Sequence, residues 1–169
     1  MSHRILVTVL LAGLGLPALC QIPQTTQATK VPDYILYDAF FFRVKWLSDL
    51  ADKYSSRGKP ASADYIRSLL QKKAGLTVQE DAALKAIAAD CRAGDLGIVS
   101  AWRALVQAGA AANDPRLQAL ASQRQQLVTS HVSQLQAAMG VARFQQLDSF
   151  VRLSATVNGG TAAPSLAPN

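Results

Sequence analysis

Little in this sequence looks like catalytic equipment. The chain holds two histidines, two cysteines and one glutamate, Glu80, and His3 and Cys20 both fall in its first twenty residues. Beyond those, His131 and Cys91 stand alone. A zinc site needs several Cys, His or carboxylate ligands at defined spacing, and no such cluster occurs. There is no Gly-x-Ser-x-Gly elbow and no glycine-rich phosphate loop. A Ser/His/Asp triad can draw its members from anywhere, so an enzyme with an unrecognised site stays as a distant third reading. One cysteine after residue 20 cannot build an intramolecular disulfide framework. Lysine and arginine are scattered rather than interleaved with aromatics, which argues against a nucleic-acid surface. The formal charge of +6 is accounted for by solubility and weak attraction to anionic envelope surfaces. No stretch alternates with period two between hairpin turns, so no sheet is expected. From these absences we expect no catalytic residue, no metal and no cofactor.

What is present begins with an address. MSHRILVTVLLAGLGLPALCQ has a positive n-region at Arg4, an apolar run from Ile5 to Leu16 and a break at Pro17. The run is too short to span a bilayer, and Ala18 and Cys20 suit the −3 and −1 positions of a secretory signal. Cleavage before Gln21 would deliver an exported, periplasmic or extracellular protein with no stable membrane insertion. A lipoprotein acylated at Cys20 is the alternative, although Leu19 stands where Gly, Ala or Ser is usual.

After a signal at 1–20, QIPQTTQATKVP (21–32) reads as a flexible leader and SATVNGGTAAPSLAPN (154–169) as a disordered tail. Residues 33–153 read as one all-α domain, a bundle of about five or six helices. Helix one runs from Pro32-Asp33 to Gly58. Ser62 caps a short second helix that ends at Gly75. Thr77 and Glu80 form a capping box, the strongest local start in the chain. That helix ends at Gly94, and a separate segment carries Ile98, Trp102, Leu105 and Val106. Asp114-Pro115 opens a long helix, which Gly140 interrupts before a last one over VARFQQLDSFVRL.

Helix one contains three consecutive phenylalanines, and successive helical residues point about 100° apart. Leu36, Tyr37, Phe40, Val44, Leu47, Ala51 and Tyr54 make its main apolar stripe, with Phe41 and Leu50 at the edges. Ile35, Phe42 and Trp46 share the opposite face. A helix apolar on all sides is usually buried, so the simplest expectation is that both faces pack within the monomer. The functional alternative makes Ile35, Phe42 and Trp46 a contact face for a protein partner, an unfolded client or a second copy.

Three further residues raise questions. Cys91 follows Leu84 and Ile87 on an apolar stripe, which suits a small buried hydrophobe better than a reactive thiol. His131 lies on the apolar side of the long helix and reads as a satisfied core or boundary residue. Arg124 falls between Leu120 and Leu127. It reads as a side chain whose stem covers apolar surface while its charge reaches water. If buried instead, it needs a carboxylate such as Asp38, Asp90 or Asp148.

LTVQE at 76–80 resembles the LTxxQ motif of the small periplasmic Spy/CpxP-like proteins, all-helical stress chaperones and metal-responsive regulators. The export signal, the size and a Gln/Arg-rich helix (RQQLVTSHVSQLQ) are similar. Glu80 stands in place of the motif's Gln, and the motif occurs once rather than twice. The resemblance implies a cradle-shaped helical chaperone dimer with the Ile35/Phe42/Trp46 face as client surface. The residues themselves point to an exported, non-enzymatic helical protein that acts by binding another macromolecule.

Overall fold

The first helix starts where the chain leaves Pro32, and it ends in a glycine turn. A computed structural model describes residues 31–157, with side chains described to residue 155. Five α-helices follow in order: α1 Asp33–Ser56, α2 Pro60–Ala74, α3 Val78–Gln107, α4 Pro115–Met139 and α5 Val141–Val157. No strand occurs among the described residues. The chain forms the all-α bundle that its periodicity implies. The expected signal, all but the last two residues of the leader, and residues 158–169 lie outside the described residues.

Local chemistry accounts for most helix boundaries. Gly75 takes a left-handed φ of 64° after α2, where an L side chain would be strained. Thr77 and Glu80 close a complete capping box at the start of α3: Thr77 N–H donates to Glu80 Oε2 at 2.8 Å, and Glu80 N–H to Thr77 Oγ1 at 3.2 Å. Asp114 accepts from the Arg116 N–H ahead of α4, with Pro115 at the first helical position. Gly140 then separates α4 from α5.

Four boundaries differ from the sequence reading. The second helix starts at Pro60 with Lys59 as its N-cap, so Ser62 lies inside it. Asp33, which the sequence offers as the N-cap of the first helix, is the first residue of α1, and Pro32 takes the cap position without a side-chain bond. The last helix continues through residues 154–157, which the sequence assigns to the tail. Most consequentially, α3 runs without a break through Gly94 and Gly97 to Gln107, merging two expected helices into one of 30 residues. Gly94 is a packing residue rather than a stop. A Cβ there would sit 3.1 Å from Leu127 Cδ1, so its absence lets α4 lie close against α3.

The core gathers Tyr37, Phe40, Phe41 and Val44 of α1 with Leu84, Ala88 and Cys91 of α3, Val128 and Leu135 of α4, and Leu147 and Val151 of α5. Phe41, which the helical projection put at an edge, is fully buried. Tyr37 stacks on Phe144 with ring centroids 5.9 Å apart, and its hydroxyl donates to Asp148 Oδ1 at 3.0 Å. Burial first, then the Asp148 charge, pushes that phenol above its ordinary pKa. Arg152 joins Asp148 to Asp33, so α5 is tied to the first turn of α1.

Candidate functional site

Of the two faces of α1, one is core and the other is open. Phe42 and Trp46 are 50% and 52% exposed, while Ile35 is half-buried. The expectation that both faces pack inside the monomer is therefore overturned for Phe42 and Trp46. The buried residues of α1, Tyr37, Phe40, Phe41, Val44 and Ala51, lie on the other side of the helix from this pair. The third phenylalanine does have a neighbour. The Arg92 guanidinium of α3 lies over its ring, 5.2 Å from the centroid. Such a cation–π contact at a partly exposed position stabilises by about 0.5–1 kcal/mol.

Arg92 also reaches inward, into a group of four charges. Its Nη1 lies 3.2 Å from Asp38 Oδ1 and 2.7 Å from Asp95 Oδ2. Arg124 of α4 closes the ring, with Nη2 2.8 Å from Asp38 Oδ2 and Nε 2.9 Å from Asp95 Oδ1. Two cations and two anions thus join α1, α3 and α4 with no net charge. The Asp95 side chain is only 1% exposed, and none of the other three exceeds 18%. Asp95 is held by charge more than by aligned hydrogen bonds, since neither carboxylate oxygen makes one. Burial raises the Asp38 pKa above the usual carboxylate value, and the Arg124 and Arg92 charges pull it part of the way back. Removing one member of such a group is far more damaging than the group is stabilising.

Arg124 is accordingly a buried ion-pair partner, not a side chain reaching water past an apolar stripe. Asp38 is one of the three carboxylates that the sequence offers it, and Asp95 is a fourth that the sequence reading does not name. The signal for Asp95 lay in spacing. Leu84, Ala88, Cys91, Asp95 and Ile98 recur at intervals of four, three, four and three, and all are buried. A helix end at Gly94 cut that stripe before its acid.

The remaining chemistry-bearing residues are occupied by the fold. His131 is buried, with Nδ1 donating to the Leu127 carbonyl at 2.8 Å and Nε2 3.2 Å from Asp90 Oδ2. Cys91 is wholly buried against the charged group. Burial, then the Asp38 carboxylate, pushes its thiol up to about 11, so it stays protonated at neutral pH. Glu80, the residue that departs from the LTxxQ pattern, is gripped by Arg143 of α5. Arg143 Nε and Nη2 donate to its two oxygens at 2.7 and 2.8 Å, and Nη2 also donates to the Gly75 carbonyl at 2.9 Å. The Arg143 bonds, then the Thr77 N–H, hold the Glu80 carboxyl at about 2. The motif here staples the α2–α3 corner to α5.

Farther along, the second half of α3 and the first half of α4 frame a shallow apolar groove of about 510 Å³, lined by Ala101, Ala104, Leu105, Ala119 and Leu120 with Arg116 and Gln123. Among the described residues, no three His, Cys, Asp or Glu side chains converge as metal ligands. No described helix is long and apolar enough to cross a membrane. No family model, no curated protein and no solved structure matches this chain.

Proposed function

We propose that this is an exported, non-enzymatic helical protein that acts by binding, with the outer face of α1 as its contact surface. The observation that carries this reading is the half-exposure of Phe42 and Trp46, one turn apart on a helix whose other face is core. Large aromatic side chains left open at this density forgo burial worth a few kcal/mol (about 25 cal/mol per Å²), and a partner would recover it. The non-catalytic part of the reading is supported by what holds the few reactive groups. His131, Cys91 and Glu80 are each engaged in packing or helix capping.

The test pairs stability with association. Phe42→Ala should lower folding stability by only about 1 kcal/mol, for lost cation–π contact and partial burial. The double Phe42→Ala/Trp46→Ala variant should keep its fold and lose co-fractionation with envelope material. A collapse in stability of about 3–5 kcal/mol with association unchanged would turn these residues back into core and remove the contact surface.

The second reading, a Spy/CpxP-like chaperone, is favoured by LTVQE opening a long helix and by the same open aromatics. A chaperone suppresses aggregation of unrelated unfolding clients, and a dedicated binder does not. Failure to protect any of several such clients would discard it.

A further inference from the structure

The charges around the aromatic pair say what kind of surface would cover it. Phe42, Trp46 and Lys53 of α1 and Arg57, its C-cap, fall at i, i+4, i+11 and i+15 and share one face, with Arg43 beside them. Arg43, Lys53 and Arg57 are all exposed, and no ion pair to a described residue involves them. The acids nearby on α1 are already answered. Asp49 is paired with Lys45 at 2.5 Å and Asp52 with Arg67 at 3.0 Å. The outer face thus presents two half-open aromatic rings in a row of three unanswered cations, along a helix of 24 residues, about 36 Å long.

We propose that the outer face of α1 docks on an anionic phospholipid surface, with Phe42 and Trp46 seated at headgroup depth and Arg43, Lys53 and Arg57 against the phosphates. The inference rests on the contact-face reading above and names its partner. Phenylalanine and tryptophan are favoured at the bilayer interface, and flanking cations are attracted by anionic lipid. The face is the convex side of one helix. A flat, deformable surface can meet that shape, whereas a peptide client asks for a groove or a sheet edge. A two-fold contact with a second copy would bring six cations to one interface, with Asp49, already held by Lys45, as the acid to oppose them.

The experiment is co-sedimentation with vesicles, using the protein as recovered from the exporting cell. One set of vesicles is phosphatidylcholine and the other contains about a third phosphatidylglycerol. The wild type should sediment with the anionic vesicles only, and about 0.5 M salt should release it. Each cation near such a surface contributes about fivefold, so Arg43→Gln/Lys53→Gln/Arg57→Gln should weaken binding about a hundredfold. Phe42→Ala/Trp46→Ala should weaken it about tenfold or more. Tyr65→Ala, at an exposed aromatic on α2, should change nothing. Thermal melts of the three variants control for folding, and the surface-charge variant keeps the test open if the aromatic one is unstable.

Absence of wild-type binding to anionic vesicles overturns the proposal, and so does equal binding to phosphatidylcholine alone. Charge and aromatic variants that both sediment like the wild type overturn it as well, because binding then belongs elsewhere in the chain. The wider contact-face reading fails separately. It survives a negative vesicle result if Phe42→Ala/Trp46→Ala still abolishes envelope co-fractionation, and it falls if that association is unchanged.

Discussion

Replacing Arg124 with methionine takes one cation from a nearly dry group of four charges and keeps the length of the side chain. Asp38 and Asp95 would then share Arg92 alone, leaving one uncompensated negative charge where Asp95 is 1% exposed. Breaking a buried ion pair from one side costs about 3–5 kcal/mol. Against a total stability of about 5–15 kcal/mol for a domain this size, that is a fifth or more. With a urea dependence near 2 kcal/mol per M, the unfolding midpoint should fall by about 1.5–2.5 M. Adding Asp95→Asn should recover much of the loss, since Asp38 and Arg92 would remain as a neutral pair. The sign of the pH effect follows from the same charges. Burial already raises the Asp38 carboxyl and the Arg124 charge is the strongest influence holding it down, so the variant's deficit should shrink as the pH falls and Asp38 takes up a proton. A loss below about 1 kcal/mol, or no recovery on adding Asp95→Asn, would refute the claim that the four charges are desolvated and interdependent.

Three further outcomes can be checked. The Glu80 carboxyl is depressed from 4.5 to about 2 in the folded chain, so its contribution is complete above pH 4.5 and is lost as pH falls to about 2. Urea melts of Glu80→Gln should therefore be weaker at neutral pH and flatter across that window. Gly94→Ala and Gly97→Ala should differ in sign. Gly97 has open space around it and should gain up to about 1 kcal/mol of helix propensity. Gly94 would press on Leu127 and should lose by overpacking, about 1–3 kcal/mol. Equal gains in thermal melts would contradict the close approach of α3 and α4. If the chain is exported as proposed, intact-mass measurement should place its mature N-terminus at Gln21, and a diacylglycerol-modified Cys20 would replace simple cleavage with a lipid tether.

Much of the fold could be read from short-range chemistry, because caps and glycine turns are local. Thr77 with Glu80, Asp114 with Pro115, Gly75 and Gly140 each act within a few residues of themselves, and each marks a real boundary. Gly94 misled because glycine serves two purposes that look alike in sequence. It can end a helix, or it can make room for a neighbour. Only the position of Leu127 tells which. The mistaken stop then hid Asp95, and with it the destination of Arg124. The aromatic pair was legible as a stripe but not as a surface. Whether a second apolar face is covered depends on how many helices surround α1, and helical periodicity is silent on that.

The ties between the two ends of the domain bear on when the first helix can settle. Tyr37 meets Asp148 across 111 positions and Asp33 meets Arg152 across 119. At about 5–20 residues per second, synthesis would bring α5 into reach some 5–20 s after α1 appears. Through that interval, part of the Tyr37 and Phe40 face stays unmatched, and non-local contacts of this span are slow to form. Nascent chains arrested before Val141 should leave α1 open to protease, and chains released after Val157 should protect it. Protection before α5 exists would mean that the first four helices close the core unaided. As wired, the domain locks when its last helix arrives.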